Sequence, residues 1–107
     1  MPTARSIPPR TSKDLKAKAG QVADVLRAIA NDRRLLILCR LVECGEAPVG
    51  QLVQDVGLSQ SALSQHLARM RDEGLVTYRR DAQTLWYRIA DPRVEELLAT
   101  LHRLYCR

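Results

Sequence analysis

The chain has 107 residues, of which 46% are hydrophobic and 27% charged. This size suits one compact domain and excludes a two-domain enzyme or a large closed cleft. Seventeen Lys and Arg against twelve Asp and Glu give a net charge of +5, which favours a polyanionic partner without requiring one. Aromatic residues make up only 4% and Phe is absent, which is typical of a leucine-rich helical core. So short a chain buries a thin core, and this favours a dimer.

The N-terminal residues, 1–12, contain three prolines and two arginines but no apolar run, so we expect no signal peptide. No stretch reaches the roughly 18 apolar residues of a membrane span, and a cytoplasmic protein with no membrane partner is predicted. Residues 1–11 are predicted to form a flexible tail and residues 12–107 a single folded domain.

The periodicity of apolar residues predicts two helices in the first half of the chain. The first, over 13–30, carries one apolar stripe made of Leu15, Ala19, Val22, Leu26 and Ile29. Asn31 and Asp32 then offer a cap for a second helix over 33–42. This second helix is apolar around most of its surface, so it is predicted to be the buried centre of the domain.

A short helix is predicted over 49–56 and a longer one over 60–73, joined by three residues. Gly57 suits the left-handed position that ends one helix, and Ser59 suits the N-cap of the next. Two helices joined in this way, with a glycine first in the turn, are the signature of a helix-turn-helix.

Two strands, 75–80 and 84–89, are predicted to form a hairpin around the loop 81–83, with Trp86 on its outer face. We expect Trp86 to pack against the first or last helix. Asp91 and Pro92 then begin a last helix that continues to the C terminus. The order α-α-α-α-β-β-α is mainly α with a small β-hairpin, which indicates a winged helix-turn-helix with an extra helix at each end.

One face of the predicted helix 60–73 carries Leu63, Leu67 and Met70 and docks on the core. The opposite face is short and polar in its first half, so it can enter the major groove and hydrogen-bond to base edges. The predicted DNA contacts on this helix are Gln60, Ser61, Ser64, Gln65, His66 and Arg69. The alternative is an ordinary solvated helix face, and partial burial is an equal interpretation of His66.

The predicted hairpin adds a second candidate contact with DNA. Arg79 and Arg80 flank its tip, and Gln83 lies just beyond it. Contact with phosphates or with the minor groove is favoured over a solvated hairpin. Double-stranded DNA is therefore the predicted polyanionic partner.

Several segments together resemble the ArsR-type winged-helix repressors over about residues 20–106. They are Asn31 to Leu35 with Ile37 and Leu38, Leu58 to Leu67, Glu73 to Val76, and Tyr87 to Ile89. The resemblance implies a homodimer formed through the first and last helices, which binds operator DNA and is released by an inducer. Ala82 departs from the pattern, because the family often has glycine at this turn; a left-handed alanine costs about 1 kcal/mol.

The metal sites known in that family are not kept in this sequence. The segment that matches the family's Cys-x-Cys, 46–50, has no thiol or imidazole, and on the last helix Asp91 is followed by Arg93 while His102 stands alone. Zinc needs about four nitrogen or sulfur ligands at suitable spacing. We therefore expect no metal ion and no other cofactor.

The odd number of cysteines makes structural disulfides an unfavoured interpretation, so each is a buried apolar side chain, a ligand or a reactive thiol. Cys39 and Cys106 resemble the paired thiols of the persulfide-responsive branch of the family, the SqrR- and BigR-like proteins. That resemblance implies release from DNA when reactive sulfur species, persulfide or polysulfide, join the two cysteines through a di- or polysulfide link. Cys44 is expected to be a bystander.

Basic residues adjacent in sequence are expected to favour the thiolate forms of these cysteines: Arg40, Arg103 and Arg107. One alternative is that the two cysteines are inert. Another is a repressor that senses arsenite, another thiophilic metal or peroxide through the same thiols. An enzyme is disfavoured because the sequence shows no nucleophile–base pair, phosphate loop or metal cluster. A pure dimerisation module would not need the polar helix face or the hairpin arginines.

Overall fold

The computed structural model describes residues 9–106, which fall into two units that meet at Ala30. The first unit is helix α1, Pro9–Ile29. Residues 9–11 were predicted to belong to the flexible tail and are instead helical, because proline suits a first helical turn, where it needs no N–H partner. The rest of the predicted tail lies outside the described residues. Along the apolar stripe of α1, Leu15, Val22 and Leu26 are exposed.

The second unit contains four more helices and a small antiparallel sheet, which confirms the mainly α winged helix-turn-helix class. No helix within residues 9–106 has the length and apolar content needed to cross a bilayer. The elements are α2 (Asp32–Cys44), β1 (Ala47–Pro48), α3 (Val49–Val56), α4 (Gln60–Asp72), β2 (Val76–Asp81), β3 (Thr84–Ile89) and α5 (Pro92–Tyr105).

Helix α2 is the centre of this unit, as its sequence predicts. The Asn31 side chain caps it by accepting hydrogen bonds from the backbone N–H groups of Arg33 and Arg34. Burial of each leucine or isoleucine contributes about 1.5–3 kcal/mol. The fully buried side chains here include Ile37, Leu38 and Leu41 of α2, Leu52 of α3, Leu63, Leu67 and Met70 of α4, and Leu98 of α5.

Strand β1 was not predicted, and it adds a third strand to the hairpin. It pairs antiparallel with β3, with Ala47 opposite Tyr87 and Pro48 opposite Trp86, so the sheet order is β1-β3-β2. Two residues are too short to show the alternation by which a strand is recognised. A signal was nevertheless present, because the residue before a proline is pushed towards extended backbone, and proline is tolerated at a sheet edge.

The hairpin turn is shorter than the predicted three-residue loop. Asp81 pairs with Thr84 and belongs to β2, which leaves Ala82 and Gln83 as a two-residue turn. Ala82 has a φ of 56° and is the only non-glycine residue of the described chain with a positive φ. A positive φ at the first turn position alone is the pattern of a type II′ turn.

The neighbours of Trp86 that the structure identifies lie within the sheet. It lies half-buried in β3, between Pro48 on one neighbouring strand and Arg79 on the other. The guanidinium carbon of Arg79 lies 5.4 Å from the Trp86 ring centroid, a cation–π contact. The tryptophan therefore packs beside Arg79 on one face of the sheet, and its packing against the first or last helix stays a prediction.

Candidate DNA interface and thiol site

The turn between α3 and α4 has the geometry that its sequence predicts. Gly57 adopts the left-handed conformation, with a φ of 73°, and its N–H donates to the carbonyl of Val53. Ser59 caps α4, because its hydroxyl accepts a hydrogen bond from the N–H of Ala62 at 3.1 Å. These two contacts set the angle at which α4 leaves the turn.

The far end of α4 is fixed equally firmly. The N–H of Leu75 donates to the carbonyl of Met70, and the N–H of Gly74 donates to that of Arg71, with Gly74 at a φ of 79°. This is a Schellman motif, and the buried side chains of Met70 and Leu75 provide its apolar contact. Helix α4 is thus held at both ends and along its inner face.

The opposite face of α4 is open to solvent, as predicted for a helix that reads DNA. The predicted contact residues on this face with exposed side chains are Gln60, Ser61, Ser64, Gln65 and Arg69. Because the inner face is anchored by Leu63, Leu67 and Met70, these polar groups project from a rigid backbone. Their contact with DNA remains a prediction.

His66 is half-buried on the flank of α4, in a positively charged environment. Burial is the main cause that lowers the pKa of His66, and neighbouring positive charges lower it further: Arg34, Arg33 and Arg69. These effects favour the neutral imidazole near neutral pH. A neutral ring can still donate one hydrogen bond to a phosphate, so both the packing and the phosphate interpretations of His66 survive.

An ion pair joins the start of α2 to the end of α4. Arg34 donates from both terminal nitrogens to the two carboxylate oxygens of Glu73, at 3.0 and 2.8 Å. The Arg34 side chain is only 13% exposed, and the hydrogen bond from Arg34 is the main cause that lowers the pKa of Glu73. Such bidentate pairs fix orientation as well as distance. We call α4 the recognition helix, because it is the helix predicted to read DNA. Helix α2 is therefore bound directly to the C-terminal end of the recognition helix.

The wing is the hairpin formed by β2 and β3. Its two predicted DNA-contacting arginines, Arg79 and Arg80, lie on opposite faces of the sheet. Arg79 pairs with Glu46, with 2.6 Å between Nη2 and Oε1, and it also stacks on Trp86. This pairing holds the pKa of Glu46 below its usual range. Arg79 is thus engaged within the protein, which the sequence does not predict, because Glu46 lies 33 residues away. Its proposed role at DNA remains untested.

Arg80 is exposed and shares its face of β2 with Tyr78, since alternate residues of a strand point to the same side. The guanidinium carbon of Arg71, on α4, lies 5.3 Å from the centroid of the Tyr78 ring, a cation–π contact. Arg80 therefore lies on the face of the sheet that adjoins the recognition helix. Gln83 is exposed in the turn and lines a shallow groove with Pro48 and Gly50 at the start of α3.

The two thiols singled out by the sequence lie near each other, one on α2 and one at the end of α5. Cys39 is half-buried, whereas Cys106 is exposed, and both are free thiols. Burial is the main cause that raises the pKa of Cys39, and the negative charges of Cys106 and Glu43 raise it further. Burial and negative neighbours thus both oppose ionisation of the Cys39 thiol.

The expectation that Arg40 favours a thiolate at Cys39 is wrong. Arg40 binds Asp55 of α3, with 2.6 Å between Nε and Oδ2, so its charge is largely neutralised there. The pKa of Cys39 is raised rather than lowered. Arg103 is exposed on α5, and Arg107 lies outside the described residues. Cys44 is exposed at the end of α2, where its thiol donates a hydrogen bond to the carbonyl of Arg40 at 2.9 Å.

A carboxylate that sequence reasoning missed lies beside this pair of thiols. Glu43 contacts His102 of α5, with 3.2 Å between Glu43 Oε2 and His102 Nε2. Its other carboxylate oxygen, Oε1, lies 3.7 Å from Nη1 of Arg40. The sequence did contain a signal for this neighbour. Glu43 follows Cys39 by four residues, and residues four apart lie on the same face of a helix. Among residues 9–106, no group of three or more His, Cys, Asp or Glu side chains is arranged to hold a metal ion.

Comparisons with known proteins agree with this fold. Residues 31–78 match the model of the arsR family, described as bacterial regulatory proteins. The transcriptional regulator YgaV of Escherichia coli is 49% identical over 92 residues, 86% of this chain and 93% of YgaV. HlyU of Vibrio cholerae, named a transcriptional activator, is 43% identical over 99 residues, 92% of this chain and 91% of HlyU.

Solved structures agree equally well. A structure of reduced HlyU from Vibrio cholerae covers 89% of this chain and 99% of its own, with a TM-score of 0.81 and 44% identity. The transcriptional repressor BigR from Xylella fastidiosa covers 91% of this chain and 98% of its own, with a TM-score of 0.80 and 35% identity. These are regulators and not enzymes, which confirms the exclusion of an enzyme. The chain belongs to the arsR family of bacterial regulatory proteins and is a DNA-binding transcriptional regulator with a winged-helix fold.

Proposed function

We propose that this protein is a cytoplasmic repressor that binds operator DNA as a homodimer and is released when reactive sulfur species join Cys39 to Cys106. The link is a disulfide or a polysulfide formed by a persulfide or polysulfide donor. The observation that supports the proposal is that both thiols are free and belong to two helices joined by a contact: Cys39 lies on α2, Cys106 is the C-cap of α5, and Glu43 of α2 contacts His102 of α5.

DNA contact is assigned to α4 and the wing. The polar face of α4 stands on a backbone fixed by a cap, a Schellman motif and three buried side chains, which suits insertion into the major groove. Arg80 and Gln83 extend the same surface into the wing, while Arg79 supports the wing through Glu46. Binding is expected to weaken steeply with salt, because phosphate contacts release counterions.

The homodimer is assigned to α1 and α5. Large apolar side chains are exposed on both helices, and single chains rarely leave so many uncovered: Leu15, Val22, Leu26, Leu104 and Tyr105. A two-fold interface would bury them and place two copies of α4 side by side. Sedimentation equilibrium of the reduced protein should give twice the chain mass; a monomer at micromolar concentration contradicts this assignment.

The inducer is tested by mass spectrometry of the intact protein and of its peptides. Reduced protein is treated separately with sodium tetrasulfide, hydrogen peroxide and arsenite. The proposal expects a link between the Cys39 and Cys106 peptides that carries additional sulfur atoms with tetrasulfide alone. Arsenic retained without a crosslink would instead identify a metalloid sensor, and a plain disulfide formed only by peroxide would identify a peroxide sensor.

The consequence for DNA is tested on a duplex selected from a random library by the reduced protein. Tetrasulfide-treated protein should bind this duplex at least about tenfold more weakly, which corresponds to an allosteric coupling of about 1.4 kcal/mol. Transcription in vitro from a promoter that overlaps the selected site decides between repression, as the name of BigR states, and activation, as the name of HlyU states. The proposal expects less transcript with reduced protein and recovery after tetrasulfide.

A further inference from the structure

Helices α2 and α5 are joined by a contact that runs beside the two thiols. Glu43 follows Cys39 by four residues on α2, and His102 precedes Cys106 by four residues on α5. Cys39 therefore shares a face of α2 with Glu43, and Cys106 is the C-cap of α5, where its N–H donates to the carbonyl of His102. The Glu43–His102 contact therefore joins the C-terminal part of α2 to the C-terminal part of α5, and each partner lies four positions from one of the two thiols.

We propose that Glu43 and His102 act as positioning residues that hold Cys39 opposite Cys106 and make Cys106 the thiol that reacts first. This inference rests on the proposed function and adds the order of its two chemical steps. We call the two residues the Glu43–His102 clamp.

Exposure is the first argument for this order. Cys106 is exposed at the C-cap of α5, where its backbone N–H donates to the carbonyl of His102 at 2.8 Å. Cys39 is half-buried beside Ile37 and Leu38, which are fully buried. A sulfur donor in solution therefore reaches Cys106 more readily than Cys39, because thiol exchange needs access along the S–S axis.

Charge is the second argument. Two negative neighbours, Glu43 and the Cys106 thiolate, oppose ionisation of Cys39, whose pKa is raised chiefly by burial. These effects lower the fraction of Cys39 that is thiolate, so Cys39 is the weaker nucleophile of the two against a donor in solution. Glu43 in turn faces two side chains, His102 on α5 and Arg40 on α2, and Arg40 is itself paired with Asp55.

The chemistry then proceeds in two balanced steps with a persulfide, R–S–SH. The Cys106 thiolate attacks the outer sulfur, the S–S bond of the donor breaks, R–S⁻ leaves, and Cys106 becomes Cys106–S–SH. Sγ of Cys106 now carries the transferred sulfur and has become the electrophile for the second step. Cys39 then loses its proton to solvent and attacks Sγ of Cys106, so that HS⁻ leaves and the disulfide forms. The two thiols are oxidised by two electrons, and the transferred sulfur is reduced to hydrosulfide.

The order is tested with variants that each keep one thiol of the pair, in a Cys44→Ser background. Glutathione persulfide is added to C39S and to C106S at neutral pH, and mass spectrometry follows the gain of one sulfur atom. Cys106 in C39S should react at least about tenfold faster than Cys39 in C106S. Equal rates, or a faster Cys39, overturn the inference.

The role of Glu43 is tested by Glu43→Gln, with Glu96→Gln on the exposed face of α5 as the matched control. In the C106S background, E43Q should shift the pH profile of iodoacetamide labelling at Cys39 to lower pH and raise its rate at neutral pH several-fold. The E96Q profile should coincide with that of the parent. A profile for E43Q that matches E96Q overturns the assignment.

The role of His102 is tested in protein that retains both thiols of the pair. His102→Ala should let Cys106–S–SH accumulate, because Cys39 is no longer held opposite it, and His102→Gln should restore closure through its amide. No accumulation in H102A overturns the clamp. These readouts need no DNA: if the bridge forms in this order but DNA is not released, the proposed function fails while the order stands.

Discussion

The two candidate functional regions of the second unit, residues 31–106, present their side chains in opposite ways. On α4, Ser61, Ser64 and Gln65 are exposed and project from a backbone that buried leucines hold in place. At the thiol site, Cys39 is half-buried and its pKa is raised, while Glu43 is tied to His102. Reading DNA needs groups that are available at once on a rigid support. Sensing needs a group whose reactivity is restrained until a suitable reagent arrives.

The same comparison separates two arginines that are neighbours in the sequence. Arg79 is occupied by Glu46 and Trp86, whereas Arg80 is exposed on the face that adjoins α4. The sequence alone treats them as equivalent wing cations. In the fold, Arg79 supports the wing, whereas Arg80 is placed where it could contact a phosphate. The face of the sheet on which an arginine lies therefore says more about its role than its charge does.

The largest effect is expected on release from DNA, when one thiol of the pair is removed and the DNA-reading face is left intact. Cys39→Ser and Cys106→Ser should each abolish release from DNA by tetrasulfide, because no bridge can form, while reduced protein binds the selected duplex as before. Fluorescence anisotropy with and without tetrasulfide measures both quantities. Cys44→Ser is the matched control and should respond fully. Release that persists in C106S would contradict the proposed thiol pair.

Breaking the DNA-reading region alone should give the next largest effect. Gln65→Ala removes a group able to hydrogen-bond to two positions of a base, and it should weaken binding to the selected duplex by about 1–3 kcal/mol. Tetrasulfide should still form the bridge at the parent rate. Gln21→Ala, an exposed change on α1, is the control. Unchanged affinity and specificity in Q65A would show that the recognition face is wrongly assigned.

The ion pair between the two regions should contribute less. The pKa of Glu73 is lowered chiefly by its hydrogen bond from Arg34, so its stabilisation is present above the unfolded pKa and is lost as pH falls through the folded pKa. Since the Glu73 side chain is 42% exposed, solvent screening limits the stabilisation to about 0.5–1 kcal/mol. Urea unfolding should therefore separate Glu73→Gln from the parent at neutral pH, and the separation should disappear at an acidic pH below the folded pKa of Glu73.

The matched control for that measurement is Asp72→Asn, which removes an exposed carboxylate from the preceding position of α4. It should follow the parent at both pH values. A difference between E73Q and the parent that is as large in acid as at neutral pH would exclude the ion pair as its cause.

The smallest effect is expected in the wing turn. Ala82 has a φ of 56°, where a side chain is strained and glycine is not. Ala82→Gly should raise the free energy of unfolding by up to about 1 kcal/mol, reduced by the entropy that glycine adds to the unfolded chain. Urea unfolding measures it, with Ala90→Gly as an exposed control outside the turn. A loss of stability in A82G would contradict the assigned strain.

Much of the fold was predictable because its signals are local. Gly57, Ser59 and Asp91 occupy the cap positions that their side chains or backbone freedom favour, and each predicted a helix boundary that the structure confirms. The buried face of α4 followed from spacing alone, since residues three and four apart share a side. The family resemblance is confirmed for the same reason, as its segments surround these caps.

The remaining features depend on contacts between residues far apart in the chain. Glu46 meets Arg79 across 33 positions, and Glu43 meets His102 only because α2 packs against α5. No periodicity within one element encodes such partners. The expectation for Arg40 failed for this reason: adjacency to Cys39 in sequence was read as proximity of charge, whereas the guanidinium turns to Asp55.

Helix α2 also has a mechanical property that follows from its continuity. It runs without a break from Asp32 to Cys44, with Arg34 near one end and Glu43 near the other. Nine residues separate them, which is about 13.5 Å along the helix axis. A tilt of about 5° pivoting at Glu43 would therefore carry Arg34 by about 1 Å, which is the scale of helix shifts in known protein switches. Cys39 lies about midway between this pivot and Arg34, so a small displacement at the thiol is roughly doubled where α2 binds the C-terminal end of α4.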